Sequence, residues 1–311
     1  MNKVAAIACA CLVALAIPAV LREDYIIQLL NIAILNAIVV LGLNFVTGWT
    51  GQINFGQAAF YGLGAYATAI ATKAGLPWIV APPLTVALVL LAALILGLPT
   101  LRLRTYYLAM TTIGFGEIVR LIIVYWEPVT GGTSGLRAIP PISVFGIGPQ
   151  GLIQHYCLLL AVLALATLVA ARIRHSALGR AMIATKDSEI AAEQSGVDTT
   201  RTKLFAFMIG AVYAGLAGCL YASSIRCVSP DSFSGVQAVL LMTMLIVGGM
   251  GSITGSIAGA LALTMLPEAL RFLGQWYLVL YGLGVIAVIV LMPGGLASLA
   301  AMIPSRREAA R

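Results

Sequence analysis

Charged residues are scarce in this chain of 311 amino acids. Only 9% of its residues are Asp, Glu, Lys or Arg, whereas 61% are hydrophobic and the mean hydropathy is +1.02. Soluble globular domains contain about 25% charged residues. The composition therefore excludes a soluble fold and predicts an all-α polytopic membrane protein that forms one transmembrane domain over residues 1–311.

Motifs for phosphate binding and catalysis are also lacking. None of the four lysines follows a glycine, so the chain has no Gly-Lys-Ser/Thr phosphate loop and no nucleotide-binding domain. His155 and His175 belong to no cluster with metal-ligand or nucleophile spacing, and no Gly-x-Ser-x-Gly motif occurs. The five cysteines are predicted to be packing residues: Cys9, Cys11, Cys157, Cys219 and Cys227. We therefore expect no enzyme, no cofactor and no metal site.

Long apolar runs fill most of the chain. A helix needs about 20 apolar residues to cross ~30 Å of hydrocarbon, and fewer where another helix completes the path. About ten segments fit, some of them broken or re-entrant: residues 4–21, 25–46, 56–72, 77–98, 105–126, 152–171, 204–224, 235–250, 255–270 and 276–293. The first segment resembles a cleaved signal peptide in having Lys3 before its apolar run, but we predict that it is a retained span.

Basic residues are distributed unequally between the two predicted sides of the membrane. With ten spans and an internal N-terminus, twelve of the eighteen fall in cytoplasmic segments: Lys3, Arg102, Arg104, Arg172, Arg174, Arg180, Lys186, Arg201, Lys203, Arg306, Arg307 and Arg311. The outside loops hold five, namely Arg22, Lys73, Arg137, Arg226 and Arg271. This asymmetry predicts that both termini and the loop at about 172–203 face the cytoplasm. The net charge of +7 then matches anionic lipid at the inner leaflet and gives no reason to expect nucleic-acid binding.

The loop at 172–203 is the one long charged segment. Within it, Asp187 or Ser188 can act as the N-cap of a helix of about two turns, and Gly196 can end that helix. So short a helix is unstable alone in water and needs a groove in which to lie. We therefore expect a partner to dock here, although the loop can also be read as a solvated connection. The residues assigned to docking are Asp187, Glu189, Ile190, Ala191, Ala192, Glu193 and Gly196.

Two glycine-rich stretches, at 48–56 and 248–255, interrupt apolar runs that resume at once. Both contain the pattern Gly-x-x-Gly-x-Ile, and each is predicted to join two shortened helices. Irregular backbone at membrane depth is tolerated where it is buried in protein or lines a watery cavity, which favours a translocation path; close helix packing is the alternative. The candidate path residues are Gly48, Gly51, Gln52, Asn54, Gly56, Gly248, Gly251, Ser252 and Gly255.

Two opposite charges fall within a predicted span. Glu117 and Arg120 are three residues apart, so they can pair on one helical face, as ionised groups in hydrocarbon must. Such a pair is either part of a functional path or a structural lock between helices. The longest outside loop, at about 127–151, follows this span and is a natural docking surface for an external partner, or an ordered connection.

Six motifs follow one another in one order between residues 35 and 295. They are Gly42-Leu-Asn-Phe-Val-Thr-Gly-Trp-Thr-Gly-Gln-Ile-Asn-Phe-Gly-Gln-Ala-Ala-Phe-Tyr-Gly-Leu-Gly-Ala-Tyr66, Phe115-Gly-Glu-Ile-Val-Arg120, Thr130-Gly-Gly-Thr-Ser-Gly135, Leu178-Gly-Arg-Ala-Met-Ile-Ala184, Lys203-Leu-Phe-Ala-Phe207 and Val247-Gly-Gly-Met-Gly-Ser-Ile253. Together they resemble the permease subunits of branched-chain amino-acid ABC importers, and in particular the M-type subunit of the leucine/isoleucine/valine system.

The resemblance implies a multi-pass permease of the bacterial inner membrane. It implies as partners a second, H-type permease, two cytoplasmic ATPase subunits and a periplasmic solute-binding protein, and it matches residues 187–196 to the segment that engages an ATPase. Alternating access, driven by ATP hydrolysis in those separate subunits, is the expected mechanism. Permeases for urea and short amides or for sugars and nucleosides, an ion-coupled carrier, and a membrane assembly subunit remain alternatives.

Overall fold

A computed structural model of the chain describes residues 24–100, 105–142, 148–149, 151–271, 276–292 and 294–298. Helices account for nearly all of these ranges, as the composition predicts. The helices are α1 (Asp24–Leu43), α2 (Gln57–Lys73), α3 (Ala81–Thr100), α4 (Thr105–Tyr125), α5 (Glu127–Thr130), α6 (Leu152–His175), α7 (Ala177–Asp187), α8 (Glu189–Gln194), α9 (Thr199–Ile225), α10 (Gly235–Gly248), α11 (Ile253–Ala269) and α12 (Tyr277–Leu291).

Nine of these helices coincide with the second to tenth predicted apolar segments. The largest difference is at α9, which begins at Thr199, five residues before the predicted segment. In the second segment, α1 continues beyond residue 46 as a π-helical stretch, Asn44–Trp49. Five helical stretches are long and apolar enough to cross a membrane: Asp24–Trp49, Trp78–Pro99, Tyr107–Tyr125, Leu152–His175 and Thr199–Ile225. The structure therefore confirms a helical protein with several membrane-spanning candidates. The predicted segment 4–21 and residues 101–104 and 299–311, with their basic side chains, lie outside the described residues.

The core forms where α9 packs against α2, α1 and α3, with α11 and α6 on the outer sides of α1. Small residues allow α2 and α9 to approach until their backbones touch. A Cβ atom built on Gly64 would lie 2.1 Å from the carbonyl oxygen of Gly215, and one on Gly218 would lie 2.1 Å from that of Tyr61. Since real Cβ atoms cannot come so close, only glycine fits at these points, and small residues let the two helices pack in close contact.

Polar side chains fix the positions of several helices. Asp198 caps the N-terminus of α9 by accepting a hydrogen bond from the backbone N–H of Arg201, and Arg226 ends the helix in the left-handed conformation with φ of 57°. Just after it, the two-residue strands β1 (Leu136–Arg137) and β2 (Cys227–Val228) pair antiparallel. This pairing ties the connection between α5 and α6 to the end of α9.

Candidate functional site

The predicted docking segment forms the short helix α8. Ser188 is its N-cap, since its hydroxyl accepts a hydrogen bond from the N–H of Ala191 at 3.3 Å. Gly196 follows the helix with φ of +84°, while its N–H and that of Val197 donate to carbonyls of the last turn. The predicted Ser188 cap and Gly196 stop are both confirmed.

The outer surface of α8 is apolar at its tip. Ile190 is 72% exposed and Ala191 is exposed beside it, in a loop that is otherwise strongly polar. Ala192, by contrast, is only 4% exposed. Ala192 thus does not share the exposed surface of Ile190 and Ala191, because the contacts of Glu189 and Glu193 with α9 turn its side of α8 inward. The assignment of this segment to docking stays a prediction.

Side-chain contacts attach α8 to the first turns of α9. Lys203, whose side chain is only 10% exposed, forms an ion pair with Glu189. The hydroxyl of Thr199 donates to Glu193 at 2.7 Å. A helix of six residues that is unstable alone is thereby held against a long helix of the core.

The two glycine-rich breaks, 200 residues apart in the sequence, meet in the structure. The backbone N–H of Gly251 donates to the Asn44 side-chain oxygen at 2.8 Å, and the indole N–H of Trp49 donates to the Gly251 carbonyl at 3.1 Å. Gly48 lies at the same point, because a Cβ on it would stand 2.7 Å from the Gly251 nitrogen. We call residues 44–51 and 248–252 the glycine junction.

Lys186, at the end of α7, joins the docking segment to the glycine junction. Its ammonium group donates to the Gly48 carbonyl at 2.8 Å. Its aliphatic stem covers Gly51, where a Cβ would lie 3.2 Å from Lys186 Cγ. One lysine therefore connects the segment predicted to engage an ATPase with the place where two broken helices meet.

Most of the polar candidates for the path are packed within the protein. Gln52 and Asn54 are 3% and 1% exposed, and the Asn54 side-chain oxygen accepts from the N–H of Gly56 at 2.8 Å. Gly248 and Gly255 are at a close crossing of α10 and α11, since a Cβ on Gly248 would lie 2.2 Å from the Gly255 carbonyl oxygen. Ser252 caps α11 by accepting from the Gly255 N–H. Close packing thus accounts for this conformation, and the role of these residues in a path stays a prediction.

A cavity of about 280 Å³ lies beside the first break, between α2, α4 and α10. Its lining is apolar apart from Ser234 and the Glu117 carboxylate, and it includes Phe55, which follows the glycine junction. We call it the Glu117 cavity. A mostly apolar cavity of this size suits a small ligand that carries a hydrocarbon side chain.

The predicted pair of opposite charges is formed at this cavity. Arg120 donates to Glu117 at 2.9 Å, and its other terminal nitrogen lies 3.7 Å from a carboxylate oxygen of Asp231. The side chains of Glu117 and Arg120 are 51% and 32% exposed in this single chain. An ionised carboxylate is not stable against hydrocarbon, so this surface of α4 faces either water or another protein.

Three residues of this arrangement were not singled out by their sequence patterns. They are Lys186, Asn44 and Asp231, each of which acts through a partner more than 100 residues away in the chain. A polar residue inside an apolar run was the available signal for Asn44. The other two look like ordinary loop charges.

Comparisons with known proteins agree with the helical membrane architecture. A family model described as the permease component of branched-chain amino acid transport systems matches residues 25–292. The chain is 33% identical over 280 residues to the high-affinity branched-chain amino acid transport system permease protein LivM of Salmonella typhimurium, covering 82% of this chain and 66% of that protein. It is 32% identical over 294 residues to LivM of Escherichia coli, covering 87% and 69%.

A more distant similarity links the chain to the autoinducer 2 import system permease protein LsrC of Yersinia pseudotuberculosis. The two are 29% identical over 198 residues, which is 61% of this chain and 54% of that protein. No solved structure matches significantly. The chain thus spans about two thirds of the length of the LivM proteins that it matches.

Proposed function

Since this chain belongs to the family of permease components of branched-chain amino acid transport systems, we propose that it is a permease subunit of an ABC importer that moves branched-chain amino acids inward. The observation that carries this proposal is the continuous connection from the exposed Ile190, through Lys186, to the glycine junction. A docking helix attached to broken membrane helices is what an externally energised permease requires. ATP hydrolysis is assigned to partner subunits, and the chain itself is not an enzyme.

The proposed topology has ten spans in one domain over residues 1–311, with both termini in the cytoplasm. Basic residues support it, because they concentrate on the side that holds the docking segment. In this orientation the 172–203 loop is cytoplasmic, the 127–151 loop is external, and the bacterial inner membrane is the location. Lipid is then in contact with the exposed apolar faces of α3 and α12.

The proposed partners take up three surfaces of the chain. One of two cytoplasmic ATPase subunits receives the tip of α8, with Ile190 and Ala191 at the contact and Glu189 and Glu193 holding the helix in place. The H-type permease covers the face of α4 and α10 at the Glu117 cavity, where an exposed carboxylate needs a polar or aqueous neighbour. The periplasmic solute-binding protein docks on the external loops.

We propose that the substrate path runs through the Glu117 cavity and that the glycine junction controls access to it. In the present conformation Gln52 is buried, so the path is closed beside Phe55. ATP-driven movement of α8 shifts Lys186 and with it the Gly48 carbonyl. That displacement opens the junction and gives alternating access.

Removing Arg120 is expected to be more harmful than removing Glu117. Arg120→Leu leaves two carboxylates, Glu117 and Asp231, without their shared cation, whereas Glu117→Gln leaves Arg120 with Asp231. We expect Arg120→Leu to lower the amount of assembled importer severalfold, and Glu117→Gln to leave assembly intact but lower leucine uptake about tenfold. Immunoblots of membranes and uptake of labelled leucine measure the two effects.

The double variant with leucine at both positions separates the two roles of the pair. Normal assembly with normal uptake would make the pair a structural lock. Normal assembly without uptake places the pair in the path. Single variants as abundant and active as the parent would contradict both roles.

Reconstitution tests the proposed function directly. The chain is placed in proteoliposomes with the proposed H-type permease, ATPases and solute-binding protein, and uptake of labelled leucine, isoleucine and valine is measured with and without ATP. We expect uptake only in the complete, ATP-supplied assembly. Uptake by the chain alone under an ion gradient would identify an ion-coupled carrier and overturn the proposal.

A further inference from the structure

A second cavity, of about 160 Å³, lies at the opposite end of the bundle from the glycine junction. Its walls come from the first turns of α1, the N-terminus of α6 and the C-terminus of α9. We call it the Arg226 cavity. None of the residues in the docking segment, the glycine junction or the Glu117 cavity lines it.

Three buried polar atoms at this cavity have no hydrogen-bond partner. They are the Asn31 side-chain oxygen, His155 Nε2 and the Ser224 hydroxyl. Asn31 is 3% exposed and His155 is 8% exposed. Buried polar groups in folded proteins are nearly always paired, so three orphaned atoms around one cavity indicate that something polar occupies it.

Positive charge and a helix N-terminus lie at the same place. Arg226 lines the cavity, and among the described residues it forms no ion pair. The N-cap of α6 is Gly151, which has no side chain to accept hydrogen bonds from the first turn. A helix N-terminus attracts anions through its N–H groups and dipole, and a guanidinium group binds carboxylates.

The set of groups matches both charged ends of an amino acid. A carboxylate can be bound by Arg226, the α6 N-terminus and the Ser224 hydroxyl. The Asn31 oxygen and an unprotonated imidazole nitrogen of His155 are acceptors suited to an ammonium group. Pro149, Leu152 and Ile225 add an apolar wall for a hydrocarbon side chain.

We propose that the Arg226 cavity is a binding site for the zwitterion of a small apolar α-amino acid. The inference rests on the proposed function for the choice of an amino acid, and it adds a site distinct from the Glu117 cavity. In the proposed topology, α6 follows the external loop 127–151, and Arg226 lies at the start of the external loop after α9. The site therefore lies at the external mouth of the permease. It receives the amino acid before it enters the path.

Binding of leucine and two analogues to the purified chain in lipid nanodiscs tests the site. Leucinamide lacks the carboxylate, and 4-methylpentanoate lacks the ammonium group. By equilibrium dialysis we expect each analogue to bind at least about tenfold more weakly than leucine, since each leaves charged or polar groups unpaired. Size-exclusion profiles confirm that every variant is folded.

Two variants connect each end of the ligand to a residue. Arg226→Asn, chosen because asparagine tolerates a positive φ, is expected to weaken leucine binding about tenfold but to leave leucinamide binding unchanged. Asn31→Leu is expected to weaken the binding of leucine but not the binding of 4-methylpentanoate. Ser224→Ala provides a milder change if either variant fails to fold. Arg271→Asn, at another external arginine that pairs with Glu268, is the matched control and should bind all three ligands as the parent does.

The outcomes distinguish this site from the proposed function. Leucine binding that none of the cavity variants alters would overturn the site, and so would a folded parent that binds no leucine, because the cavity would then hold water only. Either result leaves uptake by the complete importer unaffected. Conversely, binding as expected without any amino-acid uptake by the complete importer would overturn the proposed function and leave the site standing.

Discussion

Ile190→Glu is expected to reduce uptake to background while the chain remains folded in the membrane. The side chain is 72% exposed at the tip of α8, so a carboxylate there disturbs no packing within the chain. It does place a charge in the apolar groove proposed to receive the tip, and a buried unpaired charge is strongly unfavourable at an interface. Uptake of labelled leucine and co-purification of the ATPase with the permease measure the effect. Ala191→Glu should act in the same way.

Gln194→Glu is the matched control, because it adds the same charge to an exposed, polar position of the same helix. It should leave uptake and ATPase binding near parental values. Ala192→Arg is less informative than its neighbours, since Ala192 is buried and an arginine there would displace α8 itself. Normal uptake by Ile190→Glu with the ATPase still bound would remove α8 from the mechanism.

Gly251→Leu is expected to abolish uptake, and Gly51→Leu to lower it at least about tenfold. Both glycines have positive φ, of +88° and +72°, a conformation that costs other residues about 1–3 kcal/mol. The new side chains would also enter the glycine junction, because Cβ atoms at these positions face the Gly48 carbonyl and the Lys186 stem. Uptake per unit of membrane-inserted protein is the measurement.

Gly75→Leu separates backbone strain from the loss of space. Gly75 has a φ of +87°, yet a Cβ there would meet nothing within 4 Å. We therefore expect this variant to keep most of its uptake. Equal losses at Gly75 and Gly251 would attribute the effect to strain alone and would contradict a special role for the junction.

Features that depend on neighbouring residues could be predicted from the sequence. Helix positions followed from apolar runs, the limits of α8 from Ser188 and Gly196, and the pairing of Glu117 with Arg120 from their spacing. Each of these is decided within one or two helical turns. The local sequence is sufficient for these features because the interactions that decide them are formed between residues of the same segment.

Features that depend on tertiary packing could not be predicted. The bond from Lys186 to Gly48 joins residues 138 positions apart, and that from Gly251 to Asn44 spans 207. Neither local sequence contains a signal that predicts its distant partner. The inward direction of Ala192 has the same origin, since a six-residue helix carries no clear hydrophobic periodicity and its orientation is decided by the contacts of Glu189 and Glu193 with α9.

The backbone contact between α2 and α9 has a mechanical consequence. Where Gly64 meets Gly215 and Gly218, no side chain lies between the helices to change rotamer or slide, which favours movement of the pair as one unit. The helix that holds α8 is therefore a rigid rod rather than a hinge. In the proposed mechanism, a displacement at Lys203 would therefore reach Arg226, about 35 Å away for 23 residues at 1.5 Å each, without a hinge between them.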